Sequence, residues 1–302
     1  MNSIPRFRGL VAATFTPFTP DGEINLPMVE PLVEHAVATG MAGLYVLGST
    51  GEGLSLTQAE RLLVAEQFVR CSAGRVPIIV QVGSESLRSS HELARHAQKI
   101  GAHAISAVSP VYFRPENVST LVASMQVIAS GAPELPFYYY HIPGATGVTL
   151  NMLEFLKLGS QLIPNLRGLK FTSPAAYDLQ ACVECDDQRF EILWGVDEML
   201  LSGMVAGAVA AVGSTYNFAS RIYHNLIAAQ AEGNYQRAAE FQSLSQLLVR
   251  TFVPFGPRAA QKAIMSFIGL DCGPSRLPIA PLSDSAREQL REKLDTIGFF
   301  QW

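Results

Sequence analysis

Lysine is scarce in this chain: 302 residues hold five, at Lys99, Lys157, Lys170, Lys262 and Lys293. Charged residues make up 16% of the sequence and the net charge is −4. No cluster of Lys and Arg occurs, and neutralising a phosphate backbone needs one, so the composition speaks against a nucleic-acid partner. Cysteine is equally sparse, with Cys71, Cys182, Cys185 and Cys272. Four in a chain this long do not make a disulfide scaffold. Cys182-Val-Glu-Cys185 lacks a second CxxC or a His pair, so it reads as two thiols on a helix and not as a metal site. The six histidines form no HxH or HExxH pattern, and no metal or cofactor is expected. The most apolar run, "EMLLSGMVAGAVAAVGSTYN", is interrupted by Ser202, Gly203 and Gly207. It falls short of the roughly 18 unbroken apolar residues of a membrane span, and reads as a buried helix and strand. The first residues, "MNSIPRFRGLVAATFTPF", lack the apolar core of a secretory leader. Together these absences predict a soluble cytoplasmic protein.

What the sequence does have is core-forming material, 48% hydrophobic, laid out in a strict alternation. "GLVAATFTPF", "AGLYVLGSTGE", "VPIIVQVG", "AHAISAVSP", "LPFYYYHIP", "LRGLKFTS", "RFEILWGVD" and "AVAAVGSTYN" read as strands. Helical patterns separate them. In the first, Val29, Leu32, Val33, Ala36 and Val37 recur at helical spacing before Gly40. Another opens with Thr57-x-x-Glu60, a capping-box signature. Strands alternating with helices imply parallel pairing through crossovers. Near-continuous apolar strands imply burial on both faces. Eight such units predict an α/β fold, a closed (β/α)₈ TIM barrel over residues 1–217. Residues 218–302 read as the closing barrel helix plus a C-terminal helical extension.

Chemistry in such a barrel sits at the C-terminal ends of the strands, and four places there carry reactive residues. Lys170 stands near the end of strand six on the same face as Gly168, which would leave it room. Burial lowers a lysine's pKa, and a neutral amine attacks carbonyls to form a Schiff base; the alternative is an ammonium that snorkels out of the strand end. In "FYYYHIP", Tyr140 lies nearest the end of strand five. It could shuttle protons or be aromatic core, while His141 and Pro143 shape the loop. "GSTGE", residues 48–52, places Ser49 and Thr50 between glycines ahead of a helix. That suits a carboxylate or phosphate, although it is also a common βα turn, and Walker and dinucleotide spacings are missing. "WGVDE" and "GSTYN" bring Asp197 and Glu198 to strand ends, where they could bind several hydroxyls or cap the next helix.

"GSTGE", "YYHIP", "GLKFTS" and "GVDE…GSTYN", in that order, resemble the N-acetylneuraminate lyase and dihydrodipicolinate synthase superfamily of class I aldolases, from about residue 6 to at least residue 270. The resemblance implies that Lys170 forms a Schiff base with pyruvate or a related 2-oxo acid. It implies that Tyr140 moves protons and that Ser49 and Thr50 hold the carboxylate. The synthases usually carry an arginine after that tyrosine, in "PSRTG", where this chain reads "PGATG" with Gly144, Ala145 and Thr146. The chain therefore is most similar to the sialic acid lyases, which would place Thr172, Gly195, Asp197, Glu198 and Ser214 against the sugar. It departs from their "PALSG" or "PALTG". Tyr112, in "SPVYFRP", resembles a family tyrosine near a subunit contact, and a homotetramer or homodimer is expected. The implied activity is cleavage of N-acetylneuraminate to N-acetylmannosamine and pyruvate without a cofactor. The alternatives are a related aldolase acting on another 2-oxo acid, and a barrel that binds such acids without catalysis.

Overall fold

A computed structural model describes residues 6–302; the first five, part of the stretch read for a leader, lie outside the described residues. Eight strands, β1 (Gly9–Ala13), β2 (Gly43–Val46), β3 (Ile78–Gln81), β4 (Ala104–Val108), β5 (Phe137–His141), β6 (Leu166–Phe171), β7 (Glu191–Trp194) and β8 (Ala210–Gly213), pair in sequence order and close into one parallel barrel. The closure is β1 on β8, with Val11 opposite Val212. The helices are α1 (Val29–Ala38), α2 (Gln58–Ser72), α3 (Leu87–Lys99), α4 (Val118–Ala129), the single turn α5 (Pro143–Thr146), α6 (Met152–Leu162), α7 (Ala176–Glu184), α8 (Leu200–Val205), α9 (Tyr216–Ala231), α10 (Tyr235–Phe252), α11 (Pro257–Phe267) and α12 (Asp284–Thr296).

The period of two along each strand builds two separate cores. Inward-facing Val11, Ala13, Tyr45, Ile79, Ala104, Val108, Tyr138, Tyr140, Leu193 and Val212 fill the barrel. Their neighbours, such as Leu10, Leu44, Ile78, Tyr139, Leu169 and Trp194, face outward into the helices. Both faces are dry, which is why the strands read as unbroken apolar runs. The helices lean on local signals too. Thr57 and Glu60 form a reciprocal capping box at α2. In α1, Val29, Leu32, Val33 and Ala36 are buried as the spacing predicts, whereas Val37 is on the solvent side. Helix α9 packs on β1, and α10 on α9. Helix α11 is buried along "AAQKAIM". Among the described residues no helix is long and apolar enough to cross a membrane. The "EMLLSGMVAGAVAAVGSTYN" run folds as α8, β8 and the start of α9.

Candidate active site

The sequence places Lys170 one step from the end of β6, and the barrel aims it inward. It is 4% exposed. Its Nζ lies 4.0 Å from the ring centroid of Tyr45 and 4.1 Å from that of Tyr140. The two rings meet edge to face, 5.7 Å apart. Among the described residues Lys170 takes part in no ion pair. Burial lowers its pKa; attraction to Tyr140 and Asp197 opposes this, the charge of Arg258 adds to it, and the net direction is down.

Gly168 does not serve Lys170 as the sequence suggested. A Cβ there would stand 1.8 Å from the Glu191 carbonyl oxygen. The glycine is required by the close approach of the β7 backbone, and Gly168 pairs with Glu191 across the two strands.

Tyr140 lies directly opposite Lys170 on β5. Its hydroxyl is 3.4 Å from Ser49 Oγ. Burial pushes the phenol up, but the Lys170 charge, the Ser49 hydrogen bond and Arg258 outweigh it and hold Tyr140 below its ordinary range. That downward pull lasts only while Lys170 keeps its proton. Burial by itself would favour the neutral form of both partners. Tyr45, by contrast, donates to Ser106 Oγ at 3.0 Å, and burial raises its phenol well above normal.

Ser49 is exposed at the mouth and Thr50 is buried beside it. The turn that carries them is bracketed by two non-glycine residues in the left-handed region, Leu47 at φ 64° and Glu52 at φ 53°. Such strain persists where surrounding structure imposes it, often at functional sites. Among the described residues, the N–H groups of Ser49, Thr50 and Gly51 donate to no carbonyl, while Glu52 and Gly53 bond back to Ser49 and Gly48. Successive N–H groups left free in a turn are the kind of feature that can receive an anion. Ser49, Glu52, Tyr140, Ala145 and Thr146 line one cavity of about 240 Å³ over this turn.

The remaining expected residues divide. Asp197 is buried, and its Oδ2 accepts from the Thr215 N–H at 2.9 Å and the Thr215 hydroxyl at 2.7 Å, tying the end of β7 to that of β8. Burial lifts its carboxyl to about 6 against those hydrogen bonds. Thr172 Oγ1 is buried without a protein partner; a Cβ on Gly195 would stand 1.9 Å from it, so only glycine lets the two strands' ends meet there. Ser214 Oγ accepts from Gln261 Nε2 at 2.9 Å. Glu198 is half-buried, and its carbonyl oxygen accepts from Gln246. Tyr112 stands apart from this group, 81% exposed on the loop after β4. The Cys182 and Cys185 thiols are free, and no metal-binding cluster occurs among the described residues.

Helix α11 falls within the expected helical extension, but sequence reasoning missed its part in the site. Its Arg258 acts on both Lys170 and Tyr140, Gln261 holds Ser214, and Lys262 pairs with Glu52 at 2.8 Å. The available signal was a polar pair, Gln261-Lys262, inside an otherwise apolar buried run.

The sequence family described as the dihydrodipicolinate synthetase family matches residues 6–297. An N-acetylneuraminate lyase of Sus scrofa is 41% identical over 303 residues, covering 97% of this chain and 95% of its own length. N-acetylneuraminate lyase A of Xenopus laevis is 43% identical over 278 residues, 91% of each chain. Among solved structures, Proteus mirabilis N-acetylneuraminate lyase superposes with a TM-score of 0.95 at 38% identity, covering 98% of this chain and 100% of that one. A Bacillus anthracis dihydrodipicolinate synthase superposes with 0.89 at 25% identity, covering 96% and 98%.

Proposed function

Because the chain belongs to the dihydrodipicolinate synthetase family, we propose that it is an N-acetylneuraminate lyase, cleaving that sugar acid to N-acetylmannosamine and pyruvate through a Schiff base on Lys170. The observation that carries the reading is the lysine itself: buried, unpaired with any carboxylate, and enclosed between two tyrosine rings. The similarity to lyases along nearly the whole chain supports the substrate.

The steps follow from the neighbours of Lys170. Its neutral amine attacks C2 of the open-chain substrate, giving a carbinolamine. The Tyr140 phenol gives its proton to the departing hydroxyl, water leaves, and a protonated imine remains. The Tyr140 phenolate then takes the proton of the C4 hydroxyl. The C3–C4 bond opens, its electron pair flows into the imine, and the aldehyde product leaves an enamine. Tyr140 returns the proton to C3, and water releases pyruvate and the amine. The Ser49–Thr50 turn holds the carboxylate with its free N–H groups and hydroxyls. Thr172, Gly195, Asp197, Glu198 and Ser214 face the sugar portion, Asp197 chiefly by fixing the two strand ends.

The division at residues 217 and 218 is one of labour: the barrel supplies nucleophile, proton carrier and anion turn, and the C-terminal part supplies the groups that brace them. Tyr112 and Phe113, 81% and 83% exposed with rings 4.9 Å apart, form the contact with a second copy in a homotetramer or homodimer. The four free thiols support a cytoplasmic site of action.

Mass spectrometry after borohydride reduction tests the chemistry, first with pyruvate and then with N-acetylneuraminate. A pyruvate-derived adduct on Lys170 from both, absent in Lys170→Ala along with turnover, is the expected result. An adduct from pyruvate alone would move the substrate to another aldehyde. No adduct from either would end the Schiff-base proposal.

A further inference from the structure

The anion turn contains a difficulty of its own making. Glu52 follows Ser49, Thr50 and Gly51 directly, and lines the same 240 Å³ cavity as Ser49 and Tyr140. Its side chain is turned inward, 1% exposed, but a carboxylate carried by the same turn would repel an incoming carboxylate, and in a buried setting such repulsion is poorly screened. Glu52 is also fixed in place. Its backbone is left-handed, its N–H donates to the Ser49 carbonyl at 3.3 Å, and its Oε2 accepts the Arg276 N–H at 3.1 Å.

Lys262 meets it from α11. Nζ lies 2.8 Å from Glu52 Oε1, with the two side chains 3% and 1% exposed. The same ammonium donates to the Pro274 carbonyl at 2.9 Å and sits 4.0 Å over the Phe18 ring. Those contacts leave it no path to solvent. Burial lowers the Lys262 pKa and Glu52 opposes the fall. Two buried, paired charges are a poor device for stability alone, since apolar residues of similar volume often do as well or better.

We propose that Lys262 is a positioning residue for carboxylate binding: its buried ion pair cancels the charge of Glu52 and pins the turn, so that Ser49 and Thr50 can accept the carboxylate of a 2-oxo acid. The proposal rests on the reading that this turn is the carboxylate site, and it acts on acid affinity and not on the chemical step.

The test measures half-saturation for pyruvate, by calorimetry and by borohydride trapping, in the full-length chain carrying Lys262→Met, Lys262→Arg, Glu52→Gln and the Glu52→Gln/Lys262→Met pair. Lys262→Met is expected to weaken pyruvate roughly tenfold or more, the size of one uncompensated nearby charge, with trapping at saturation still complete. The paired variant returns to within about threefold of the parent, as does Lys262→Arg. Glu52→Gln alone, which leaves Lys262 uncompensated, binds pyruvate at least as tightly as the parent, and it decides the matter if Lys262→Met does not fold. Half-saturation within about twofold in folded Lys262→Met, or a paired variant no better than Lys262→Met, overturns the proposal. So does weakened pyruvate binding in Glu52→Gln. Loss of trapping on Lys170 in the parent would instead strike the Schiff-base reading, while the calorimetric arm still decides the role of Lys262.

Discussion

Lys170 at the end of β6 and Lys262 in α11 are buried almost equally, at 4% and 3% exposure. Each ammonium lies 4.0 Å from the centre of an aromatic ring, and burial lowers both pKa values. They differ in one respect. Lys262 touches a carboxylate and a carbonyl oxygen; Lys170 touches two phenol rings and no acid. The carboxylate whose charge Lys170 feels, Asp197, is already occupied by two hydrogen bonds from Thr215. Burial by itself therefore does not make a nucleophile. A countercharge in contact keeps an amine protonated and inert, and its absence frees the lone pair.

The sharpest way to probe the contrast is at the rings. Tyr140→Phe should lower kcat by about 10²- to 10⁴-fold, the usual share of a proton carrier, because only Tyr140 offers its hydroxyl toward Ser49. Tyr45→Phe, whose hydroxyl is turned to Ser106, should cost less than about tenfold. Steady-state kinetics of both variants would break the comparison if the two losses were alike.

Stability should separate the lysines next. Lys262→Met strands Glu52 as a buried unpaired acid and should destabilise the fold by about 3–5 kcal/mol. Lys170→Met removes a desolvated cation that had no acid to meet, and should leave unfolding free energy unchanged or raised. Urea denaturation of both variants reads the difference directly, and equal losses would contradict it.

Asp197 gives a third comparison, with pH as the variable. Its carboxyl rises from 3.8 to about 6 on folding. A raised acid contributes stability that is complete below the unfolded value and lost as pH climbs through the folded one. Two units correspond to about 3 kcal/mol, lost between pH 4 and 6. Asp197→Asn should flatten that slope; an unaltered slope would assign it to another group.

The smallest expected effect is on the pH profile of imine formation. Trapping should rise as Lys170 deprotonates, with its midpoint below that of an ordinary lysine. Tyr140 helps hold the ammonium, so Tyr140→Phe should move the midpoint to lower pH. An upward move would reverse the assigned sign.

Much of this was legible in the sequence because it is local. The eightfold alternation of apolar strands and helical patterns announced the barrel, Thr57 and Glu60 announced a helix start, and Lys170, Tyr140, Ser49 and Thr50 fell at strand ends where barrels keep their chemistry. The unreadable parts depend on contacts far apart in the chain. Nothing near residue 52 points to Lys262, 210 positions later. Gly168 was read as space for the lysine above it, when its cause is the carbonyl of Glu191 on the next strand. Val37 fits a helical stripe but is 36% exposed.

The dependence of the turn at residues 48–52 on α11 also sets an order in time. A ribosome releases β1 to β8 before it has made residue 262, and closing β1 against β8 is already a long-range event. The emerging chain can hold Lys170 and Tyr140 side by side while Glu52 still waits for its partner. On the proposed roles, the reactive amine would thus be placed early and the grip on acids last, and a chain stalled before α11 would carry Lys170 with Glu52 still unpartnered.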